Sequence, residues 1–248
     1  KIKKLKNNVT IGVVGKYIDL KDAYKSLHEA LYHASYEANS NLSIKYIDSE
    51  ELEQSSPKKL LEGCDGILVP GGFGDRGFEG KISAIQYARE NNIPFFGICL
   101  GLQMAVLEFA RNVCSIKDAQ TRESKKRSKN YIIDIMESQK KVGSKGGTMR
   151  LGKYPCELKK SSLAHSAYKK AKISERHRHR YEVNPKYHER LKKSGLVLSG
   201  LSPDGTLVET IEIKNHKWFL ACQFHPEFKS KPFSAHPLFR EFVKASLK

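Results

Sequence analysis

Apolar residues follow two rhythms along the first half of the chain. Val9-Thr-Ile-Gly-Val-Val-Gly15, Gly66-Ile-Leu-Val69 and Pro94-Phe-Phe-Gly-Ile98 are short, nearly continuous apolar runs bounded by glycine or proline, the pattern of strands buried on both faces. Residues 42–47 alternate between apolar and polar and add a further strand. Stretches 22–38, 79–91 and 100–112 repeat apolar positions at helical spacing, with Ala23, Leu27, Ala30, Leu31 and Ala34 on one stripe of the first. Strand and helix alternate through short connections, which predicts an α/β fold: a doubly wound, mostly parallel sheet with flanking helices. In the C-terminal half, residues 196–199, 207–213 and 218–224 read as strands separated by Ser202-Pro-Asp-Gly205 and Lys214-Asn-His216. Those turn residues predict hairpins, hence a few antiparallel strands, followed by a closing helix over 237–247. No repeat or linker divides the 248 residues, a length that suits one domain over 1–248.

Charge and cysteine usage narrow the picture. The formal net charge of +17 makes nucleic acid a candidate partner, but the lysines are scattered and no reading motif or aromatic interleaving accompanies them. A solvated lysine-rich surface is the better account, with no nucleic-acid partner. The densest basic stretch, 122–145, is nearly free of apolar residues outside 131–136 and reads as a partly disordered insertion, spanning about 118–145. The five cysteines (Cys64, Cys99, Cys114, Cys156, Cys222) are odd in number and lack C-x-x-C spacing, against both a disulfide framework and a structural metal site. The polar start shows no secretory signal and no apolar run is long enough for a membrane span, so a cytoplasmic protein without a membrane partner is expected. The first residue is not Met, which suggests a piece of something longer.

Within this frame, Gly97-Ile-Cys99-Leu-Gly101 places a cysteine between a buried strand and a helix, flanked by glycines two residues to either side. Small neighbours let a strained turn push one side chain out of a sheet, and helix amides lower a thiol pKa. Alone, such a cysteine is more often an inert core residue. Phe224-His225-Pro226-Glu227 supplies a candidate base and, two residues on, a carboxylate to orient it, giving a triad of Cys99, His225 and Glu227. Residues 72–77 match G-x-G-x-x-G formally, yet Gly97-Ile-Cys99 stands where a dinucleotide site wants its acidic residue. The loop is better read as backbone brought close to a substrate, with N–H groups near Gly72 and at Leu100 forming an oxyanion hole. Glu175-Arg-His-Arg-His-Arg-Tyr181 offers a guanidinium for the carboxylate of an amino-acid substrate, and reads equally as a solvated loop.

At these residues the chain resembles the triad-type (class I) glutamine amidotransferases, and among them the glutaminase domains of CTP synthases. Pro70-Gly-Gly72, Gly97-Ile-Cys99-Leu-Gly-Leu-Gln103 and His225-Pro-Glu227 carry the general pattern. Gly15-Lys-Tyr-Ile-Asp-Leu-Lys-Asp-Ala-Tyr-Lys-Ser26, Gly72-Phe-Gly-Asp-Arg-Gly77, Gly146-Gly-Thr-Met-Arg-Leu-Gly152, Glu175-Arg-His-Arg-His-Arg-Tyr-Glu-Val183 and Ala221-Cys-Gln-Phe-His-Pro-Glu227 carry the narrower one, from about Val9 onward apart from the basic insertion. The resemblance implies Cys99 as nucleophile, His225 as base and Glu227 as orienter. It implies Gly72 and Leu100 as oxyanion donors, with Gln103, Glu123 and Arg180 holding glutamine. It further implies that L-glutamine is hydrolysed to glutamate and ammonia, with no cofactor in this part. A covalently linked synthetase domain, absent here, would use the ammonia with ATP and Mg to convert UTP to CTP, in a homo-oligomer activated by GTP. Residues 146–152 and Arg76 are the candidates for responding to GTP. After Glu123 the family's apolar, proline-containing continuation is replaced by Ser124-Lys-Lys-Arg-Ser128. Two other readings remain: a γ-glutamyl hydrolase of the same fold, and a binding module that has lost catalysis.

Overall fold

The computed structural model describes residues 5, 7–16, 24–135 and 149–247. In chain order the first half consists of β1 (Asn7–Gly15), α1 (Lys25–Glu37), β2 (Ser40–Asp48), α2 (Pro57–Leu61), β3 (Gly66–Val69), α3 (Phe78–Glu90), β4 (Phe95–Ile98) and α4 (Leu100–Asn112). The second half adds β5 (Gln120–Thr121), β6 (Tyr131–Ile135), β7 (Arg150–Leu158), α5 (Leu163–Tyr168), β8 (Lys172–His179), β9 (Tyr181–Val183), α6 (His188–Lys193), β10 (Leu196–Leu201), β11 (Val208–Ile213), β12 (Phe219–Cys222) and α7 (Pro237–Ser246). Nine strands form one sheet in the order β2-β1-β3-β4-β12-β11-β10-β7-β8, and β5-β6-β9 form a small second sheet. Pairing is parallel from β2 through β12 and antiparallel from β12 to β8.

The strand period of two sorts the apolar runs onto two faces. Ile67, Val69 and Phe95 pack with α3 and α4, whereas Leu68, Phe96 and Ile98 pack with α1 and α7. On α7, Phe239 and Phe242 close the second layer, Phe239 meeting Phe96 edge-on at 5.2 Å between ring centroids. Among the described residues no helix is long and apolar enough to cross a membrane.

The hairpins β10–β11 and β11–β12 form as the turn residues predict. Helix α1 is described from Lys25, so residues 22–23 of the expected helix lie outside the described residues. Two expectations are corrected. The basic insertion is not an appendage in its described part, since β5 and β6 pair and Ile132 and Ile133 are fully buried; residues 136–148 lie outside the described residues. The 175–181 cluster is not a loop: residues 175–179 end β8, with Glu175, His177 and His179 inward and Arg176 and Arg178 outward, and Tyr181 begins β9. Period-two alternation is present there, but between charged residues, so hydropathy does not reveal it.

The antiparallel half curls. Strand β10 changes register at Leu198, Gly200 and Leu201, a bulge that bends the sheet. As a result β8, at the sheet edge four places from β12, returns to the end of β12, where the Arg176 carbonyl accepts the His225 N–H at 2.8 Å.

A Cβ on Gly101 would lie 2.1 Å from the Val69 carbonyl oxygen, whereas Gly63, at φ +79, has nothing within 4 Å. Gly101→Ala is expected to cost about 3 kcal/mol or more through forced backbone movement, and Gly63→Ala about 1 kcal/mol through strain alone. Urea unfolding of the two variants checks this, and equal losses would show that α4 shifts freely.

Candidate active site

Cys99 occupies the single residue between β4 and α4, with φ +52 and ψ −101. That conformation is uncommon for a residue with a side chain and costs on the order of 1–3 kcal/mol. The surroundings enforce it. The Cys99 N–H donates to the Cys222 carbonyl at 2.7 Å, and the Cys99 carbonyl accepts from the Leu102 and Gln103 N–H groups that begin α4. A Cβ on Gly97 would meet the Gly101 backbone at 2.8 Å, so helix and strand approach as only glycine permits. The thiol is 3% exposed and its Sγ lies 3.9 Å from the Arg178 carbonyl oxygen.

His225 follows β12 and opens a short 3-10 turn, Pro226–Lys229. Its Nδ1 and the Glu227 Oε1 are 2.7 Å apart, and the Phe228 ring stacks on the imidazole at 5.1 Å. Nε2 is buried without a hydrogen-bond partner. Burial pulls the imidazole pKa down, but the charge and hydrogen-bonding capacity of Cys99, followed by those of Glu227, outweigh it and raise the value to about 10. Cys99 is thus the first raising influence on His225, while no hydrogen bond closes on Nε2.

Gly71 escapes a sequence reading that weighs only the glycine after it. A Cβ there would stand 2.8 Å from His225 Cε1 and 3.5 Å from Cys99 Cβ, so this residue touches both groups. The signal was the paired glycine of Pro70-Gly-Gly72. Gly72 faces Leu100, whose Cδ2 would lie 3.3 Å from a Cβ added to that glycine. Beyond it the loop is held on both sides: Lys16 Nζ donates to the Phe73 and Gly74 carbonyls at 2.9 and 2.6 Å, and the Gly74 N–H donates to Glu123 Oε1 at 2.6 Å. Burial raises the Glu123 carboxyl pKa, while that N–H, Lys16 and Arg180 act against the rise. Glu123 and Arg180 thus share one electrostatic neighbourhood, despite the altered sequence after Glu123. A cavity of about 180 Å³ opens between Lys16, Tyr24, Pro70, Gly71, Gly72, Lys81 and Leu100. Gln103 is buried, and its Nε2 donates to the Tyr181 carbonyl at 3.0 Å and to Gln223 Oε1 at 3.3 Å, tying α4 to β9. Gln223, buried beside it, was not singled out from the sequence.

Behind the site lies a buried charged network. Arg150 pairs with Glu209 at 2.6 Å and Glu182 at 3.3 Å, and His177 Nδ1 meets His179 Nε2 at 2.8 Å. Arg150 belongs to the 146–152 segment expected to respond to GTP, yet it is buried in β7; residues 146–148 of that segment and 17–23 of the 15–26 motif lie outside the described residues. Burial, reinforced by Arg150, lowers the pKa of His177 to about 2 and of His179 to about 3. No group of three or more metal-capable side chains occurs among the described residues. Because the unfolded chain protonates these histidines near 6.5, folding excludes both protons. Their contribution to stability is complete above about pH 6.5 and is lost as pH falls below it. Unfolding between pH 4 and 6 is expected to take up about two protons at this pair. Denaturation followed across that range checks it, and His177→Phe should remove one of the two.

The family model for class-I glutamine amidotransferases matches residues 19–245. CTP synthases from Pelobacter propionicus and Carboxydothermus hydrogenoformans are each 59% identical, over 96% and 98% of this chain. The chain spans about half the length of these curated relatives, 45% of each. Among solved structures, the glutaminase domain of Trypanosoma brucei CTPS with bound acivicin is 43% identical, with a TM-score of 0.89 over 96% of this chain and 93% of that one. A glutamine amidotransferase from Thermotoga maritima, 13% identical with a TM-score of 0.51 over 96% of both chains, shares the fold.

Proposed function

The chain belongs to the class-I glutamine amidotransferase family, and from that premise we propose that it is the glutaminase part of a CTP synthase, acting as one domain over residues 1–248. The observation that carries the reading is the meeting, across Gly71, of a strained Cys99 with a His225 ring whose Nδ1 is held by Glu227 Oε1 at 2.7 Å. Thiolate is the form of a cysteine that attacks a carbonyl carbon.

Cys99 thiolate attacks the side-chain amide carbon of L-glutamine. The N–H groups of Gly72 and Leu100 receive the developing oxyanion, the latter at the start of α4 where the helix dipole adds positive potential. His225 imidazolium gives its proton to the departing ammonia, leaving a γ-glutamyl thioester on Cys99. Neutral His225 then takes a proton from the water that attacks the thioester, glutamate leaves, and the ion pair is restored. Glu227 holds Nδ1–H throughout and keeps the proton transfers at Nε2. Arg180 and Glu123 are paired with the substrate's α-carboxylate and α-ammonium by charge, and Gln103 supports that wall through Tyr181.

No cofactor enters these steps. In the whole protein the ammonia passes to a covalently linked synthetase domain that aminates ATP-activated UTP with Mg, in a cytoplasmic homo-oligomer. GTP activation is assigned to the 146–152 segment and Arg76. The relatives' extra length and their naming as CTP synthases support the linked synthetase domain and its product.

A glutamine-analogue electrophile followed by mass spectrometry tests the site. One adduct on Cys99 is expected, because burial raises the thiol pKa of Cys64, Cys156 and Cys222; a label on one of those instead would defeat the assignment. Cys99→Ser should lower glutamate release by several orders of magnitude. The unfolded imidazole titrates near 6.5 and the folded one near about 10, so the stability from His225 is complete below about pH 6.5 and is lost as pH rises through about 10. Since Cys99 is the principal raising influence, Cys99→Ala should lower the His225 midpoint measured by NMR. An unmoved midpoint would mean that thiol and imidazole are not coupled.

A further inference from the structure

The turn carrying His225 and Glu227 is gripped from behind by a carboxylate that takes no part in the bond-making and proton transfers of glutamine hydrolysis. Glu175, on β8, is 1% exposed. Its Oε1 accepts from Lys229 Nζ at 2.8 Å and the Tyr168 hydroxyl at 3.1 Å, and lies 3.3 Å from His236 Nε2; Oε2 is buried without a hydrogen-bond partner. Lys229 is the last residue of the Pro226–Lys229 turn, and its Nζ also donates to the Ser174 carbonyl at 2.7 Å. At the other end of the turn, the His225 N–H donates to the Arg176 carbonyl at 2.8 Å. The turn is therefore pinned at both ends to three consecutive residues of one strand, with Glu227 between the pins. Two residues further along that strand, the Arg178 carbonyl contacts Cys99 Sγ at 3.9 Å.

We propose that the Glu175–Lys229 pair is a clasp that sets His225 and Glu227 in place against Cys99, which makes Glu175 and Lys229 positioning residues for glutamine hydrolysis. The inference rests on the reading that Cys99, His225 and Glu227 perform the chemistry. Stability alone does not account for the pair, because an ion pair whose cation is still partly in water contributes little to folding. What charge adds is a fixed location, and a base must stay within fractions of an ångström of its proton's path. The surroundings keep Glu175 ionised for that purpose: burial opposes ionisation, yet His236 and Lys229 bring its carboxyl below the usual range. The same carboxylate and burial push the Tyr168 hydroxyl far above its ordinary pKa, so it remains a neutral donor.

The test compares the native chain with Lys229→Met, Lys229→Arg, Glu175→Gln and the Lys229→Met/Glu175→Gln double variant. Each is checked for folding by near-ultraviolet circular dichroism and then labelled with a glutamine-analogue electrophile. Lys229 is partly exposed, so its replacement by Met keeps the measurement available even if Glu175→Gln does not fold. Lys229→Met is expected to lower the saturating labelling rate about tenfold without changing the half-saturating concentration, and to lower the His225 midpoint measured by NMR, since a displaced imidazole loses part of the raising influence of Cys99 and Glu227. Lys229→Arg should restore most of the rate, and the double variant should lose no more than the worse single one. A native rate and midpoint in folded Lys229→Met, a loss confined to the half-saturating concentration, or multiplied losses in the double variant would overturn the clasp alone. A native chain left unlabelled at Cys99 would overturn the reading of the site, and the clasp with it.

Discussion

Cys99 lies where a helix is driven almost into the end of the sheet that precedes it. The Val69 carbonyl, the Gly97 backbone and the Gly101 backbone converge at separations that no side chain could enter. A turn so short leaves the intervening residue only a strained conformation, and the strain is held by the packing of α4 between β3, β4 and β12. The first amides of the helix, the loop after β3 and the end of β12 are thereby brought to one point. Relaxing the approach would return Cys99 to ordinary helix geometry and remove it from Gly71 and His225. Everything around the thiol presupposes that crowding.

The two halves of the sheet are stabilised differently. From β2 to β12 the faces are covered by aliphatic and aromatic side chains, and hydrophobic burial suffices. From β11 to β8 the interior carries Arg150, Glu209, His177 and Glu175, with Glu182 of the small sheet beside them. Such groups are costly to bury and make their contacts in few geometries, so they favour one curvature over others. That curvature brings β8 back to His225 and the Pro226–Lys229 turn. The polar interior thus specifies where the strand arrives more than it adds to the strength with which the fold holds.

The parallel half was legible because β1, β3 and β4 are apolar runs bounded by glycine or proline, β2 alternates, and α1, α3 and α4 repeat apolar positions at helical spacing. Cys99, His225 and Glu227 were legible as candidates because nucleophilic chemistry uses a thiol, an imidazole and a carboxylate at the ends of strands. Strand β8 was not, since its inward positions are glutamate and histidine, whose burial rests on partners such as Lys229 and Glu209 distant in sequence. Gly71 was hidden by its neighbour, and Ile132 and Ile133 by the basic residues before them. Gln103 could be named from the elbow, but its bond to the Tyr181 carbonyl depends on the curl of a strand whose presence hydropathy did not suggest.

Strand β8 is also the open edge of a nine-stranded sheet, the place where an unpaired backbone invites a foreign strand. Here two of its outward acceptors, at Ser174 and Arg176, are already engaged by Lys229 and His225. The turn that bears His225 and Glu227 is at the same time a cover over the sheet's exposed border. Whatever loosens that turn would therefore also uncover the backbone of the sheet's last strand.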